Sequence, residues 1–309
     1  MDSRIAFLFP GQGSQTVGMG KSFIENSQNA KARFGEASEI LKLDLVRLCL
    51  EGPKEALAQT ENAQVALFVL SVAICQEILD KGIQPICLAG HSLGEYPALW
   101  TGGAYDFEQG VKLVRFRGER MAEAGRKNPG IMVAIIGLSW EIVKQLCRDV
   151  QTGVVVPANW NLSEQIVISG ETVPVRYAAQ EAKKLGAKVV ELQVSGAFHS
   201  PLMRSAQEAM KEYLDLMEFQ PLRADFISNV TGERVKDSDE AKALLVRQLA
   251  EPVLWCKCME TINQMVDKGL ELGAGKVLTG LMKKAFPKFD CLAIDSFEQL
   301  KLSDVLFRI

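Results

Sequence analysis

The sequence lacks the features that mark membrane proteins and nucleic-acid-binding proteins. Its 309 residues contain 35 Lys and Arg against 38 Asp and Glu, and the net charge of −3 gives no field that would attract nucleic acid. No run approaches the roughly 18 uninterrupted apolar residues of a transmembrane helix. The first residues enter a predicted strand without a signal-peptide layout, so the cytoplasm is the expected compartment. No nucleic-acid partner and no membrane contact are predicted.

The chain also has few residues that bind metals. Seven cysteines are scattered along it, and no pair forms a CxxC motif or the spacing of a zinc site. We expect reduced thiols that mostly fill the core, and no metal site. Only two histidines occur, His91 and His199. Any reaction that needs a histidine base must use one of these two.

The most informative segment is Gly-His-Ser-Leu-Gly-Glu-Tyr at residues 90–96, which carries Ser92 between two glycines. It follows an apolar run at 85–89 and precedes a helical pattern. This is the Gly-x-Ser-x-Gly nucleophile elbow, in which strand and helix approach so closely that a β-carbon at either glycine would clash. The turn exposes the serine hydroxyl. It also aims the first helical N–H groups at an oxygen that becomes negative when a carbonyl is attacked.

Strands and helices alternate around this turn. The sequence predicts a strand over 5–9, a turn at 10–15, helices up to about residue 81 and a helix over about 107–124. This order is typical of a parallel sheet that is covered on both faces.

A different pattern, β-α-β-β-α-β, runs from about residue 130 to 192 and is that of a ferredoxin-like unit. Its predicted elements are strands at 131–136, 153–158, 166–169 and 188–192 and helices at 139–148 and 174–185. The predicted fold class is α/β, with a large α/β-hydrolase-like domain that has a parallel sheet and an inserted ferredoxin-like small subdomain. The large catalytic domain is expected to cover 1–128 and 197–309, the subdomain 129–196, and the cleft between them is the expected ligand site.

A serine nucleophile needs a base, and histidine is the usual one because its pKa lies near working pH. His91 is adjacent to Ser92 on a turn where neighbouring side chains point apart, so we expect it to pack or form hydrogen bonds behind the site. His199 lies in the loop that leads from the subdomain back to the large domain, and it is the predicted base. The spacing identifies no third, orienting group, which could be a carboxylate or a backbone carbonyl.

Arg117 lies on a predicted apolar helix face, together with Leu113, Val114 and Met121. A guanidinium on that face needs an anionic partner, because an unpaired buried charge is costly. Two interpretations stay open. Arg117 forms an internal ion pair with an acid such as Glu95, or it binds a substrate carboxylate through two parallel hydrogen bonds.

Near the C-terminus, Gly-Ala-Gly-Lys at 273–276 lacks the GxxxxGK[ST] frame of a phosphate-binding loop. We interpret it as a tight strand-to-helix turn.

Together these motifs resemble those of the malonyl-CoA:acyl carrier protein transacylases, the acyltransferases of fatty-acid and polyketide synthesis. The resemblance covers essentially the whole chain. The matching segments are FPGQGSQ at 9–15, GHSLGEY at 90–96, Arg117, GAFHSP at 196–201, VRQL at 246–249 before Pro252 and Val253, and GAGKVLTG at 273–280.

The resemblance implies a ping-pong reaction that supplies malonyl groups for fatty-acid chain elongation. Ser92 would take malonyl from coenzyme A with His199 as base, and the pantetheine thiol of acyl carrier protein would then remove the acyl group. The oxyanion hole would be the backbone N–H groups of Gln12 and Leu93. The main-chain carbonyl of Gln248 would hold the imidazole.

Substrate contacts are also implied by the resemblance. Arg117 would bind the malonyl carboxylate, Phe198 stands in the malonyl-selecting version of its motif, and Asn159, on a subdomain loop, matches a position near coenzyme A. No cofactor is implied, since coenzyme A enters as a thioester substrate and phosphopantetheine is carried by the acyl carrier protein.

The expected partners are malonyl-CoA and, transiently, acyl carrier protein, and the chain is expected to be a monomer. Carrier proteins are acidic, so their docking needs a local positive patch. Lys183, Lys184 and Lys188 are the nearby candidates.

Two other classes of function stay open. A serine esterase or thioesterase shares the elbow, but its acceptor is water, and it needs neither carrier docking nor a carboxylate clamp. A non-catalytic scaffold would keep the fold, although the joint presence of Ser92, His199 and Arg117 argues against it.

Overall fold

The computed structural model describes residues 4–301, and its strands form two sheets. In chain order the strands are β1 Ile5–Phe9, β2 Cys87–Gly90, β3 Ile131–Ile136, β4 Val155–Leu162, β5 Gln165–Gly170, β6 Lys188–Glu191, β7 Asp225–Ile227, β8 Lys268–Leu272 and β9 Asp290–Ile294. The helices are α1 Lys21–Asn26, α2 Gln28–Leu41, α3 Leu45–Glu51, α4 Lys54–Ala58, α5 Thr60–Asp80, α6 Glu95–Thr101, α7 Phe107–Lys127, α8 Trp140–Arg148, α9 Thr172–Lys184, α10 Arg204–Asp215, α11 Ser238–Gln248, α12 Trp255–Met265 and α13 Val277–Ala285.

The large sheet has five strands in the order β7-β2-β1-β8-β9, and every neighbouring pair is parallel. All residues of β1 and β2 are buried. Their sequences are therefore continuous apolar runs, as expected for strands whose two faces are both covered by helices. The predicted parallel sheet is confirmed. Its strands end at one common edge, where the loops after β1, β2 and β7 come together.

Helix α5 is the central helix of the large domain and packs along α7. By length and composition it could cross a membrane, but 78% of its most apolar 18-residue window is buried inside the protein. It is therefore a core helix. Helix α7 begins with a capping box, in which Asp106 accepts from the Gln109 N–H and the Gln109 side chain accepts from the Asp106 N–H.

The small sheet has four antiparallel strands in the order β4-β5-β3-β6, and helices α8 and α9 pack on it around a separate apolar cluster. The ferredoxin-like order of elements is confirmed. The limits of 129 and 196 for the subdomain stay predictions. Residues 1–3 and 302–309 of the predicted large domain lie outside the described residues.

One local prediction was wrong, because Asn159 lies on strand β4 and not on a loop. The strand continues to Leu162, past the predicted end at residue 158, since it pairs with an extended segment of the large domain as well as with β5. The Trp160 N–H donates to the Val253 carbonyl (2.8 Å), and the Val253 N–H donates to the Ala158 carbonyl (2.9 Å). This contact joins the two domains beside the site.

Candidate active site

The segments that follow three adjacent parallel strands form the centre of the site. Gln12 lies in the turn after β1, Ser92 follows β2 and Asn229 follows β7. Because β7, β2 and β1 are neighbours in the sheet, these three residues meet at its carboxyl edge. This edge is where parallel α/β sheets generally bind ligands.

The turn at Ser92 has the geometry of a nucleophile elbow. Ser92 itself has a positive φ of 52°, an uncommon conformation for a residue with a side chain. A β-carbon added at Gly90 would lie 1.9 Å from the carbonyl carbon of Gly94, and one added at Gly94 would lie 2.0 Å from the Phe9 oxygen. Only glycine fits at these two positions, as predicted from the sequence.

His199 is the histidine that contacts the serine. Its Nε2 atom lies 2.9 Å from Ser92 Oγ, and its Nδ1 atom lies 2.7 Å from the main-chain oxygen of Gln248. Because a carbonyl oxygen only accepts, the proton of the neutral ring is on Nδ1. The lone pair of Nε2 therefore faces the serine hydroxyl. The sequence left carboxylate and carbonyl open as the orienting group, and the geometry places a carbonyl there.

Burial keeps this imidazole neutral. His199 is 4% exposed, and desolvation, followed by the positive charge of Arg117, lowers its pKa from 6.5 to about 3. A neutral ring is the form that can accept the serine proton.

Arg117 lies at the same centre. Its side chain projects from the buried face of α7 and is 1% exposed, and the guanidinium carbon lies 5.1 Å from the centre of the Tyr96 ring. Nη1 donates to Gln64 Oε1 (2.7 Å), and Nη2 donates to Gln248 Oε1 (2.9 Å) and to Ser92 Oγ (3.1 Å). The predicted apolar-face position is confirmed.

The interpretation of Arg117 as a member of an internal ion pair with an acid such as Glu95 is wrong. Within residues 4–301, no carboxylate lies within ion-pair distance of Arg117. The Gln248 amide lies between the two charges, since it accepts from Arg117 and donates to Glu95. The guanidinium therefore contacts Ser92 Oγ, the attacking oxygen, while its charge forms no direct ion pair.

A cavity of about 460 Å³ opens over Ser92, and both domains line it. Phe198 and Asn159 are in its wall, as are Gln12 and Met121. His91 also lines it and forms a hydrogen bond of 2.9 Å from Nε2 to Oδ1 of Asn161 on β4. The predicted hydrogen bonding of His91 is confirmed, but its predicted position behind the site was wrong, because His91 lines the cavity. The bond links the elbow to the small sheet.

The N–H groups around Ser92 are not equivalent. The Ser92 N–H donates to Asn229 Oδ1 (2.7 Å), so it is occupied by the protein itself. The Leu93 N–H follows in the first turn of the short 3₁₀ helix Ser92–Gly94. On the opposite turn, the Gln12 side chain contacts Thr60 and Gln64, at 3.3 Å each.

Sequence reasoning missed three polar residues of this site, namely Gln64, Asn229 and Asn161. Asn229 carried a usable signal, because it lies two residues after the short strand β7 and such positions meet at one edge of a parallel sheet. Gln64 and Asn161 carried none. Gln64 is one polar residue in an apolar helix, and Asn161 reaches the site only through the packing of the two domains.

The three candidate docking lysines do not line the cavity. Lys183 and Lys184 form the last turn of α9, where Lys184 pairs with Glu181 at 2.7 Å, and Lys188 begins β6. All three are exposed.

The similarity of the chain to known proteins agrees with the geometry of the site. Residues 6–290 match the model of the family described as acyl transferase domain. The malonyl CoA-acyl carrier protein transacylase of Bacillus subtilis is 42% identical over 308 residues, covering 97% of this chain and 96% of the relative.

Solved structures give the same result. An acyl carrier protein S-malonyltransferase from Vibrio cholerae superimposes with a TM-score of 0.94 at 41% identity, covering 97% of this chain and all of that one. A malonyl-transacylase in complex with its type II PKS acyl-carrier protein gives a TM-score of 0.94 at 38% identity, covering 97% and 99% of the two chains. The chain belongs to the acyl transferase domain family, in the group of malonyl CoA-acyl carrier protein transacylases.

Proposed function

We propose that this enzyme transfers the malonyl group from malonyl-CoA to the pantetheine thiol of acyl carrier protein through a malonyl-Ser92 intermediate. One observation carries the proposal. Ser92 Oγ lies 2.9 Å from the base nitrogen of His199 and 3.1 Å from Nη2 of Arg117. A nucleophile with a cation at its side suits an acyl group that carries its own carboxylate.

In the first half-reaction, Ser92 Oγ attacks the thioester carbonyl while His199 Nε2 accepts the hydroxyl proton. The main-chain oxygen of Gln248 stabilises the imidazolium through the Nδ1 proton. The tetrahedral intermediate collapses, the C–S bond breaks, and the thiolate of coenzyme A leaves with the proton from His199. General base catalysis of this kind contributes roughly 10²- to 10⁴-fold.

The negative oxygen of the tetrahedral intermediate needs fixed donors. The N–H groups of Leu93 and Gln12 are the proposed pair, because they belong to the turns after two adjacent strands and the Ser92 N–H is taken by Asn229. Removing one such donor typically costs about 10²- to 10³-fold in rate.

In the second half-reaction, the pantetheine thiol enters the same cavity and gives its proton to His199 as it attacks the malonyl ester. The ester C–O bond breaks, and Ser92 Oγ recovers the proton. Arg117 binds the malonyl carboxylate in both halves. Asn159 and Phe198, which line the cavity, are the proposed contacts with the coenzyme A chain and with the malonyl α-carbon.

We further propose that the enzyme acts in the cytoplasm as a monomer and binds its carrier protein transiently. These proposals rest on the resemblance, on the predicted compartment and on the similarity to a transacylase that was solved with its carrier protein.

The test is an intact-mass measurement in two steps. The protein is incubated with malonyl-CoA, and a mass gain of one malonyl group at Ser92 is expected. Carrier protein bearing phosphopantetheine is then added, and the malonyl group should move to it. Rapid release of free malonate without carrier protein would instead favour a thioesterase, and failure of malonyl-CoA to label the protein would favour a scaffold.

A further inference from the structure

A buried carboxyl group beside the reaction centre has no role in the steps above. Glu95 is the first residue of α6 and is 0% exposed. Its Oε1 atom accepts from the Asn229 N–H and its Oε2 atom accepts from the Gln248 amide nitrogen, both at 2.5 Å. Both partners are neutral. A carboxylate is costly to bury, so a group held in this way needs a reason beyond packing.

The two residues that bind Glu95 also bind the nucleophile. Asn229 accepts the Ser92 N–H at Oδ1 and donates from Nδ2 to the Gly90 carbonyl, at 2.7 Å each. Gln248 donates from Nε2 to the Ser92 carbonyl at 2.9 Å. The peptide groups on both sides of Ser92 are thus held by the side chains of Asn229 and Gln248, and Glu95 in turn binds the main-chain N–H of Asn229 and the side-chain amide of Gln248. Ser92 needs this support because its φ is positive.

Glu95 also helps to fix which end of the Gln248 amide faces Arg117, together with the Ser92 carbonyl, which accepts from the same Nε2 atom. The two ends of an amide have almost the same shape but opposite hydrogen-bonding character. The ionised form of Glu95 can only accept, so it faces the NH₂ end of the amide, and the amide oxygen faces the Arg117 guanidinium. Without the acceptor at Glu95, only the Ser92 carbonyl and the Arg117 donors would hold the amide in this orientation, and a turned amide would set its NH₂ group against the N–H donors of Arg117.

This arrangement leaves the guanidinium charge available. A direct contact between Glu95 and Arg117 would neutralise the cation that has to attract the substrate carboxylate. With the neutral amide of Gln248 between them, Arg117 is oriented but not directly paired, and Nη2 still reaches Ser92 Oγ.

We propose that Glu95 is a positioning residue for malonyl selection, which acts through Gln248 and Asn229 to hold Arg117 and Ser92 without touching the substrate. The proposal rests on the proposed function of Ser92 and Arg117. If that function fails, the wild type itself will show no malonyl adduct at Ser92. If only the role of Glu95 fails, the wild type will prefer malonyl-CoA over acetyl-CoA and the Glu95 variant will keep that preference.

The test is Glu95→Gln, which keeps the shape of the side chain and removes the double acceptor. Rates of Ser92 acylation are measured by intact mass over a range of malonyl-CoA and acetyl-CoA concentrations. Burial raises the pKa of Glu95 to about 8, so the assay is run at about pH 8.5, where the wild-type carboxyl is largely ionised. We expect kcat/KM for malonyl-CoA to fall about 10- to 100-fold, mostly through KM, with a smaller fall for acetyl-CoA.

Glu271→Gln is the matched control. Glu271 is also 0% exposed, and its carboxylate accepts from the N–H groups of Leu278 (2.9 Å) and Thr279 (2.7 Å) at the start of α13. Its loss should lower the melting temperature and leave the malonyl to acetyl ratio at the wild-type value. A folded Glu95→Gln protein with the wild-type ratio, or equal losses for both substrates, would overturn the proposal.

If Glu95→Gln does not fold, Gln248→Glu tests the same relationship. This change keeps the main-chain carbonyl that binds His199 and places a carboxylate directly against Arg117. The cation would then be paired internally, so the malonyl preference should fall while acetyl-CoA is still used. An unchanged preference in this variant would contradict the role assigned to the neutral amide.

Discussion

Ser92 Oγ and His199 Nε2 lie 2.9 Å apart, and both residues have a left-handed backbone conformation, with φ of 52° and 57°. Among residues 4–301, Lys42 is the one other residue besides glycines with positive φ. Such conformations cost about 1–3 kcal/mol each and persist where the surroundings hold them. Here the Asn229 side chain holds the Ser92 N–H, and the Gln248 carbonyl holds the His199 ring. The strained backbone thus belongs to the two residues whose side chains exchange a proton.

Ser92→Ala should abolish the covalent malonyl adduct and leave the fold intact. The hydroxyl faces the cavity, so its removal deletes the nucleophile and little packing. Intact mass after incubation with malonyl-CoA checks the first expectation, and the melting curve checks the second. A mass gain of one malonyl group in Ser92→Ala would show that another residue is acylated.

His199→Ala should slow both half-reactions, since the same Nε2 atom moves the proton in each. The expected loss is roughly 10²- to 10⁴-fold in each rate. Single-turnover measurements of Ser92 malonylation and of transfer to carrier protein separate the two steps. A variant that loses only one of them would show that the other half-reaction uses a different base.

His199 should also contribute to the pH dependence of stability. Its pKa in the folded protein is lowered to about 3 from 6.5, so below about pH 6.5 the unfolded chain binds a proton that the folded state does not. This contribution is present above about pH 6.5 and is lost as the pH falls toward 3. Burial lowers the pKa of His91 as well, which acts in the same direction.

The measurement compares melting temperatures at about pH 7 and about pH 5. The wild type should lose more than His199→Gln over this interval, because the variant has no imidazole to protonate on unfolding. Equal losses in the two proteins would mean that the folded His199 is protonated as easily as the unfolded one.

Much of this site could be predicted because its chemistry is local in sequence. The Gly90 and Gly94 clashes come from one tight turn, and the position of Arg117 follows from the periodicity of one helix. His199 was found by elimination, since only one other histidine exists. These are contacts over a few residues, or choices among very few candidates.

The orienting contacts could not be predicted, because they depend on the packing of distant segments. Gln248 meets Ser92 across 156 positions of sequence, and Asn229 meets it across 137. The sequence allows Glu95 as an ion-pair partner of Arg117, and no periodicity indicates that an amide from α11 lies between them. The continuation of β4 through Asn159 could not be predicted either, because the pairing of this strand with the segment at Val253 is likewise long-range.

Phe198→Ser should improve the use of methylmalonyl-CoA relative to malonyl-CoA. The Phe198 ring is 6% exposed and forms part of the cavity wall, where it would crowd a substituent on the malonyl α-carbon. One methyl group in such a pocket is worth about 1–3 kcal/mol, so the shift should be tens of fold at most. The measurement is the ratio of kcat/KM for the two thioesters. An unchanged ratio would show that Phe198 does not select between them.

Arg117→Ala should change substrate choice as well as rate. Without the guanidinium the malonyl carboxylate enters a buried site with no cation, at a loss of about 2–5 kcal/mol, or very roughly 30- to 5,000-fold. Acetyl-CoA has no carboxylate to lose. We therefore expect malonyl transfer to fall by that order while acetyl transfer stays level or rises, as measured by kcat/KM for both thioesters.

The control is Arg115→Ala, two positions away on the same helix. Arg115 is half-buried and binds Glu119 (2.7 Å) and Asn62 (2.9 Å), so its removal also breaks an ion pair and a contact with α5. It should leave the malonyl to acetyl ratio unchanged, because neither partner lines the cavity. If Arg117→Ala instead lost equal activity toward both substrates with an unchanged melting curve, the arginine would serve only to hold Gln64 and Gln248, and the cation beside Ser92 would have no part in selecting malonyl.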